Sequence, residues 1–451
     1  MTVDEPVRVG VLSLHNSKET KAICNAVEEL GHEPEWLRNE NTVVEIEGDD
    51  VRIQPDVDIV ANRLLLSNTE EPCEGLGLIN IYNRIRPVLN GPDEVLTAIH
   101  KFSSAAALAG GEVDVPRAML ALDADRINEA RQTFGPEAVY KTAIGTHGGG
   151  TWKVGPGEQI NPMVGDRIAF LQELIDGREG DNRDIRVYVV DGEIVGAMYR
   201  YAPENDWRTN VALGGHVEDA TDDLAEAAAE LAVRAVDVIG LDYAGVDIVE
   251  SEDDYYVLEV NPTAGFKGLF KATGVSPAAY IAKLAIESAG GEVDDDDVLK
   301  LAGTLDDSIP SCMPRPSLAT RPPKTIGYTE EVLVSGTSGT ERIVAKSDTG
   351  ASRTSIDTKL AAEIGAGPIK SMTKVKSGSL KRGKARPVVD IVVAIGGDRH
   401  TVAASLEDRG HMDHDLLLGR DILENYQVDV SRRHDDAAEE RDEEEEERAD
   451  E

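Results

Sequence analysis

The chain has 451 residues, 41% of them hydrophobic, and a net charge of −39 from 85 acidic against 46 basic side chains. Such a length exceeds one compact core, so two or three globular domains are expected. A field of that sign repels phosphate backbones, which excludes general nucleic-acid binding and fits a solvating surface in a salt-rich cytoplasm.

Cys24, Cys73 and Cys312 are too far apart for a C-x-x-C metal site and too few for a disulfide framework, and read as buried thiols. The N-terminus runs through Asp4 and Glu5 without a basic region, and no stretch approaches the roughly eighteen apolar residues of a membrane span. A cytoplasmic protein without membrane contact is the expectation.

In chain order, Val7 to Leu12 reads as a strand and Ala22, Ile23, Ala26, Val27 and Leu30 recur at helical spacing before Gly31, an opening β-α unit. A second strand at Val57 to Val60 and a helix from Pro92 to Gly110 continue an α/β pattern. From Ala138 to Asn261, strand-like segments (Ala138 to Tyr140, Ile185 to Val190, Ile194 to Met198, Gly245 to Val249, Tyr255 to Val260) surround an alanine-rich helix, Thr221 to Ile239, which reads as α+β. The acidic run Asp294 to Asp297 and the prolines from Pro310 to Pro323 resist regular structure and mark a linker. Strand candidates at Arg342 to Ala345, Val388 to Ile395 and Thr401 to Leu406 predict a mostly β domain, and the charged residues from Asp435 predict a disordered tail. The expected divisions are 1–91, 92–290, a linker over 291–325, 326–434 and the tail 435–451.

The densest chemical signal is Asp247 in an apolar strand followed by Glu259-Val260-Asn261 in the next. Period-two alternation puts Glu259 and Asn261 on one strand face. A carboxylate left alone at Asp247 would cost several kcal/mol, so a cation partner is expected. An all-oxygen set suits magnesium or manganese rather than zinc. Upstream, Lys141 ends a strand before Gly145-Thr146-His147-Gly148-Gly149-Gly150, a loop whose amides can approach phosphate oxygens. No G-K-[ST] follows, so this is not a P-loop. Lys101 offers a second cation, and Arg200, flanked by Tyr199 and Tyr201, has a surface ion pair as its bland alternative.

Lys101, Lys141 with its glycine loop, Gln172-Glu173-Leu174-Ile175, Asp184-Ile185-Arg186, Arg208-Thr209-Asn210 and the D…E-x-N ending together resemble the RimK-type ATP-grasp ligases over residues 1 to about 290. The resemblance implies an N-terminal α/β domain followed by an ATP-grasp fold. It implies ATP and magnesium as cofactors: Lys101, Lys141, Gly148 and Gly149 around the nucleotide, Glu173 and Leu174 at adenine, Asp184 on the ribose side, Arg208, Thr209 and Asn210 near the triphosphate, and Asp247, Glu259 and Asn261 on the metal. The implied chemistry is phosphorylation of a carboxylate to an acyl phosphate that an amine attacks, with Arg186, Arg200 and Arg208 stabilising the transferred charge.

Lys346-Ser347-Asp348-Thr349-Gly350-Ala351 followed by Leu416-Leu417-Leu418-Gly419-Arg420-Asp421 resembles the active-site turn and strand of retropepsin-like aspartic proteases, and more closely the RimB-like proteins labelled ATP-dependent zinc proteases. That chemistry needs two carboxylates, and one copy supplies only Asp348, which implies a homo-oligomer. His411 and His414 lack the glutamate and helix of a metalloprotease, which argues against zinc. The basic run Lys370, Lys374, Lys376, Lys381, Arg382, Lys384 and Arg386 is a solvated loop or an attraction site for an acidic peptide such as the chain's own tail. The expected function is a ligase adding glutamate to a protein terminus or small acceptor, fused to a domain that binds or trims the product. The alternatives are a ligase of coenzyme or amino-acid biosynthesis, a nucleotide-regulated aspartic peptidase that ligates nothing, and a β domain that serves only for dimerisation.

Overall fold

A computed structural model describes residues 5–68, 72–145, 150–165, 167–175, 183–203, 207–209, 215–252, 254–314, 323–367, 369–375 and 384–434. The chain divides into two compact units, 1–316 and 317–451.

The first unit opens with a parallel sheet in the order Glu33–Leu37, Arg8–Leu12, Ile59–Asn62, Val88–Leu89. The helix Lys18–Glu29 starts where the Ser17 hydroxyl accepts the Thr20 amide, and it buries Ala22, Ile23, Ala26 and Val27. The second strand lies two residues later than its apolar run indicates.

The single helix expected from Pro92 to Gly110 is two, Pro92–Ile99 and Lys101–Gly110. His100 is extended between them, and its Nδ1 accepts the Ser103 amide, so it caps the second helix. A break of that kind leaves no trace in apolar spacing, yet it makes Lys101 the first residue of a helix.

Two antiparallel layers follow. One is a five-stranded sheet built on Ala138–Thr142, Thr151–Val154 and Arg167–Glu173. The other has the order His216–Asp219, Glu193–Tyr201, Arg183–Val190, Tyr243–Glu250, Tyr255–Asn261. Helix Glu226–Ile239 covers this second sheet with Ala228, Ala232, Ala235 and Val236 buried. It begins five residues later than expected, because the Thr221 hydroxyl is spent on the Ala197 backbone.

The acidic run is not a linker. Asp294 caps a helix, Asp295–Ala302, whose first turn holds Asp295, Asp296 and Asp297 where the helix dipole favours negative charge. Val298 and Ala302 pack on Ala279, and the Asn25 amide then holds the Asp306 and Ser308 carbonyls. The segment therefore belongs to the first unit. Of the three thiols, Cys24 is buried as expected, but Cys312 is half-buried and Cys73 exposed.

In the second unit, Thr329–Ser335, Thr340–Ser347, Leu416–Leu418, Ser355–Asp357, Asp398–Glu407 and Lys384–Ile395 pair in that order, and the last pairs back to the first. The result is a closed six-stranded barrel with Ile369–Val375 on its edge. Val334, Ile356, Val393 and Leu416 are among the fully buried side chains of its core. In the basic run, Arg386 pairs with Glu407, while Lys376, Lys381 and Arg382, like the acidic tail, lie outside the described residues.

Candidate functional site

Period-two alternation sends Asp184 and Arg186 to one face of their strand, and the register sets Asp184 opposite Arg200, Arg186 opposite Asp247, and Asp247 opposite Glu259. Gly245 lies opposite Asn261, where an added Cβ would come within 2.7 Å of the Ala264 side chain. All of these residues except Gly245 line one cavity of about 420 Å³, together with Lys101, Lys141, Gln172, Glu173, Leu174, Arg208, Thr209 and Gly265. That volume suits a small-molecule ligand.

The face carries alternating charge. Arg186 grips Asp247 with two bonds, Nε to Oδ1 at 2.6 Å and Nη2 to Oδ2 at 2.7 Å. Arg200 grips Asp184 in the same way, at 2.7 and 2.6 Å, and also reaches Asp247 at 2.9 Å. Such paired geometry is what offsets the cost of burying charge here. Burial alone would raise the Asp247 carboxyl, but the charges of Arg186 and Arg200 outweigh it and bring it down to about 2. Burial likewise opposes the Arg200 charge, and Asp184 and Asp247 raise that group above its ordinary value.

Asp247 is thus held by a pair of guanidiniums, and Arg200 is a buried bridge between two carboxylates rather than a surface ion pair. Asp184, expected on the ribose side, lines the same cavity. Arg200 takes both of its oxygens, the Thr209 hydroxyl donates to Oδ2, and its geometry is that of a residue orienting Arg200.

Glu259 pairs with the Lys101 ammonium. With its amide oriented to satisfy both neighbours, Asn261 donates to Glu259 at 2.6 Å and accepts from Arg186 at 3.2 Å. Asp247, Glu259 and Asn261 therefore converge, each turned toward positive charge. Among the described residues no three His, Cys, Asp or Glu side chains form a metal cage, so the donor set is two carboxylates and an amide. Magnesium fits such a set, because it takes one or two carboxylates, keeps waters and completes its shell with phosphate oxygens.

Lys141 lies across the cavity on Ala138–Thr142, 7% exposed. Burial first, and Lys101 second, lower its amine to about 7, against the opposing pull of Glu259 and Asp247. A phosphate arriving there would restore the charge. Gly150 closes the loop after this strand against Thr142, where an added Cβ would lie 2.4 Å from the hydroxyl. Gly148, Gly149 and Asn210 lie outside the described residues.

Three features escaped the motif reading. A β-bulge between Asp247 and Ile248 breaks the alternation opposite Leu258, and Leu258 lines the cavity. Trp207 lines it too, with the Lys153 ammonium 5.2 Å from its ring centre. Arg183, also lining it, is held by Glu250 at 3.3 Å and lies over the Tyr199 ring. The R-D-I-R spelling puts Arg183 and Arg186 on opposite strand faces, so only the strand's end position brings both to the cavity.

Residues 98–285 match the model of the RimK-like ATP-grasp domain. The tetrahydromethanopterin:alpha-L-glutamate ligase of Methanocaldococcus jannaschii is 35% identical over 220 residues, 47% of this chain and 74% of that protein. Its namesake from Methanosarcina acetivorans is 31% identical over 43% of this chain and 68% of that protein. The solved ATP-grasp ligase PsnB, in complex with a precursor variant, magnesium and ADP, aligns with 62% of this chain and 98% of its own at 20% identity and a TM-score of 0.49. With a relative of that identity covered over that length, the chain belongs to the RimK-like ATP-grasp family and is an ATP-dependent carbon–nitrogen ligase.

Proposed function

We propose that the protein joins the amine of glutamate to a carboxylate on a protein terminus or a small acceptor, through an acyl phosphate. The observation that carries this reading is the single sheet face on which Asp247, Glu259, Asn261, Arg186 and Arg200 meet, with Lys101 and Lys141 over the same cavity. Glutamate as the added amino acid rests on the names of the relatives.

In the proposed reaction an acceptor carboxylate oxygen takes the γ-phosphoryl group and ADP leaves. The glutamate nitrogen then bonds to the carbonyl carbon, the carbon–oxygen bond to phosphate breaks, and the amine gives up a proton. The Glu173–Leu174 backbone holds adenine, and Lys101 and Lys141 neutralise the phosphates. Asp247, Glu259 and Asn261 would hold magnesium, which supplies charge neutralisation across the phosphates. Arg186 and Arg208 stabilise charge on the phosphoryl oxygens, while Asp184 and Thr209 keep Arg200 in place. No side-chain nucleophile is needed, so positioning carries the rate.

Incubation with ATP, glutamate and candidate acceptors, read by ADP release and product mass, tests this. A gain of one or more glutamyl units on a protein terminus supports the first acceptor class. A gain on a coenzyme supports the second, and ADP release indifferent to glutamate contradicts both.

A second activity is favoured by the turn at Asp348. Its Oδ1 accepts the amides of Gly350 at 2.9 Å and Ala351 at 3.2 Å, and its own amide donates to the Leu418 carbonyl at 2.9 Å. Beside it the Thr354 hydroxyl donates to Asp421 at 2.8 Å and accepts the Gly419 amide at 3.1 Å. We read this as an aspartic-protease-like turn that works as a homodimer to bind or trim the ligated product. Peptide cleavage lost in Asp348→Asn supports that role, and unchanged cleavage removes it.

A further inference from the structure

The segment 262–266 follows directly on Asn261, and Thr263, Ala264 and Gly265 line the cavity. Its carbonyls are held from outside. Arg63 donates to those of Thr263 at 3.4 Å and Ala264 at 3.1 Å, and the Tyr188 hydroxyl donates to that of Gly265. The Pro262 carbonyl accepts the Asn90 amide at 3.1 Å.

Asn90 does more than hold that one carbonyl. The other hydrogen of its Nδ2 goes to the Tyr243 carbonyl at 2.9 Å, and its Oδ1 accepts the amides of Asp242 at 2.9 Å and Tyr243 at 3.3 Å. All four hydrogen-bonding positions of the side chain are therefore filled. Its backbone is engaged as well, with N–H donating to the Asp242 carboxylate and C=O accepting from Asn62 Nδ2 at 3.0 Å. The residue is fully buried and has φ +57°, a left-handed conformation that asparagine tolerates better than most side chains.

Tyr243 begins the strand that carries Asp247, directly after Asp242, and Pro262 directly follows the strand that carries Glu259 and Asn261. One amide thus ties the start of one strand to the end of its neighbour, at the edge where Gly245 faces Asn261. The N-terminal sheet supplies it, since Asn90 follows Val88–Leu89.

We infer that Asn90 is the positioning residue of the magnesium and phosphate end of the site, fixing the separation of Asp247 from Glu259 and Asn261 without touching ligand. This rests on the proposed reading of those three residues as the magnesium oxygens. Asp at this position would turn a carboxylate toward the Tyr243 and Pro262 carbonyls, and Ala would keep the strained φ without the bonds. Gly keeps the backbone conformation and removes only the amide.

The test is calorimetric titration of the full chain with ADP, in the presence and absence of manganese. Glu173 ends a strand of the other sheet, with Leu174 directly after it, so Asn90→Gly should leave metal-free ADP affinity within about twofold. The gain in affinity on adding manganese should shrink by about tenfold, as for other groups that orient metal ligands. Asn62→Ala loses one supporting bond and should shrink the same gain by about threefold, which gives an independent reading if Asn90→Gly does not fold.

Equal loss with and without manganese would mark Asn90 as merely structural and overturn the inference, as would an unchanged gain in both variants. Glu259→Gln separates the two levels of the argument. If it too leaves the manganese gain intact, the reading of the magnesium oxygens fails. If it abolishes the gain while Asn90→Gly and Asn62→Ala do not, the positioning role alone fails.

Discussion

In the first unit Asp247 lies buried in a cavity between two guanidiniums, with Glu259, Asn261 and two lysines around it; in the second, Asp348 lies half-buried on a turn, its Oδ1 held by backbone amides. The first arrangement keeps its charges in place before any ligand arrives, and such preorganised charge is what a phosphoryl-transfer site requires. The second presents one carboxylate per chain, half of what an aspartic protease needs. One copy of this chain therefore holds the candidate parts for ligation, while the proposed hydrolysis at Asp348 would need a second copy.

The widest separation between the two regions should come from single carboxylate changes. Asp247→Ala should lower glutamate-dependent ADP formation by about a thousandfold or more, because it removes a proposed magnesium oxygen and leaves the buried Arg186 guanidinium without its carboxylate. Stranding Arg186 should also destabilise the unit by about 3–5 kcal/mol, seen as a lower Tm. Asp348→Asn should change ADP formation by less than about twofold. A large effect of Asp348→Asn on ligation would break the comparison.

A smaller effect is expected at the bridge. Arg200→Lys keeps the charge but gives up the two-bonded grip on Asp184 and the contact with Asp247, and should cost about ten- to a hundredfold in kcat with adenine affinity little changed. Equal losses in kcat and in metal-free ADP affinity would instead show a general collapse of the sheet.

The pH dependence is smaller again and has a definite sign. With the free Lys141 amine at about 7, ADP must bring a proton with it above that pH. Affinity should then fall between pH 7 and 9 with measurable proton uptake, and Lys141→Met should flatten that slope. The depressed amine also costs the folded state most below pH 7, where folded and unfolded forms are both charged, and this cost fades as pH rises toward the ordinary lysine value. Lys141→Met should therefore raise Tm at pH 6 by about 5 °C or more, and by less at pH 9.

Much of the candidate site is legible in the sequence because it lies on strands, where period-two alternation fixes which side chains share a face. Asp247, Glu259 and Asn261 follow from that rule, and the resemblance to a ligase family adds Lys101 and Lys141. What escaped were departures from periodicity. The bulge that brings Leu258 to the cavity, the break at His100 that starts a helix at Lys101, and the left-handed Asn90 depend on pairing between segments far apart in the chain. The acidic run was misread for a related reason: four aspartates repel in isolation, but the last three occupy the first turn of a helix where its dipole stabilises them. The grip of Arg200 on Asp184 was not legible either, because a motif gives order along the chain and not which guanidinium will reach a carboxylate.

The most direct measurement is ADP release by the purified full chain with magnesium and a candidate acceptor, with and without glutamate, in the wild type and in Glu259→Gln. The account predicts release that depends on glutamate, comes with a matching increase in acceptor mass, and is lost in the variant. Release at the same rate without glutamate, or untouched by Glu259→Gln, would contradict it.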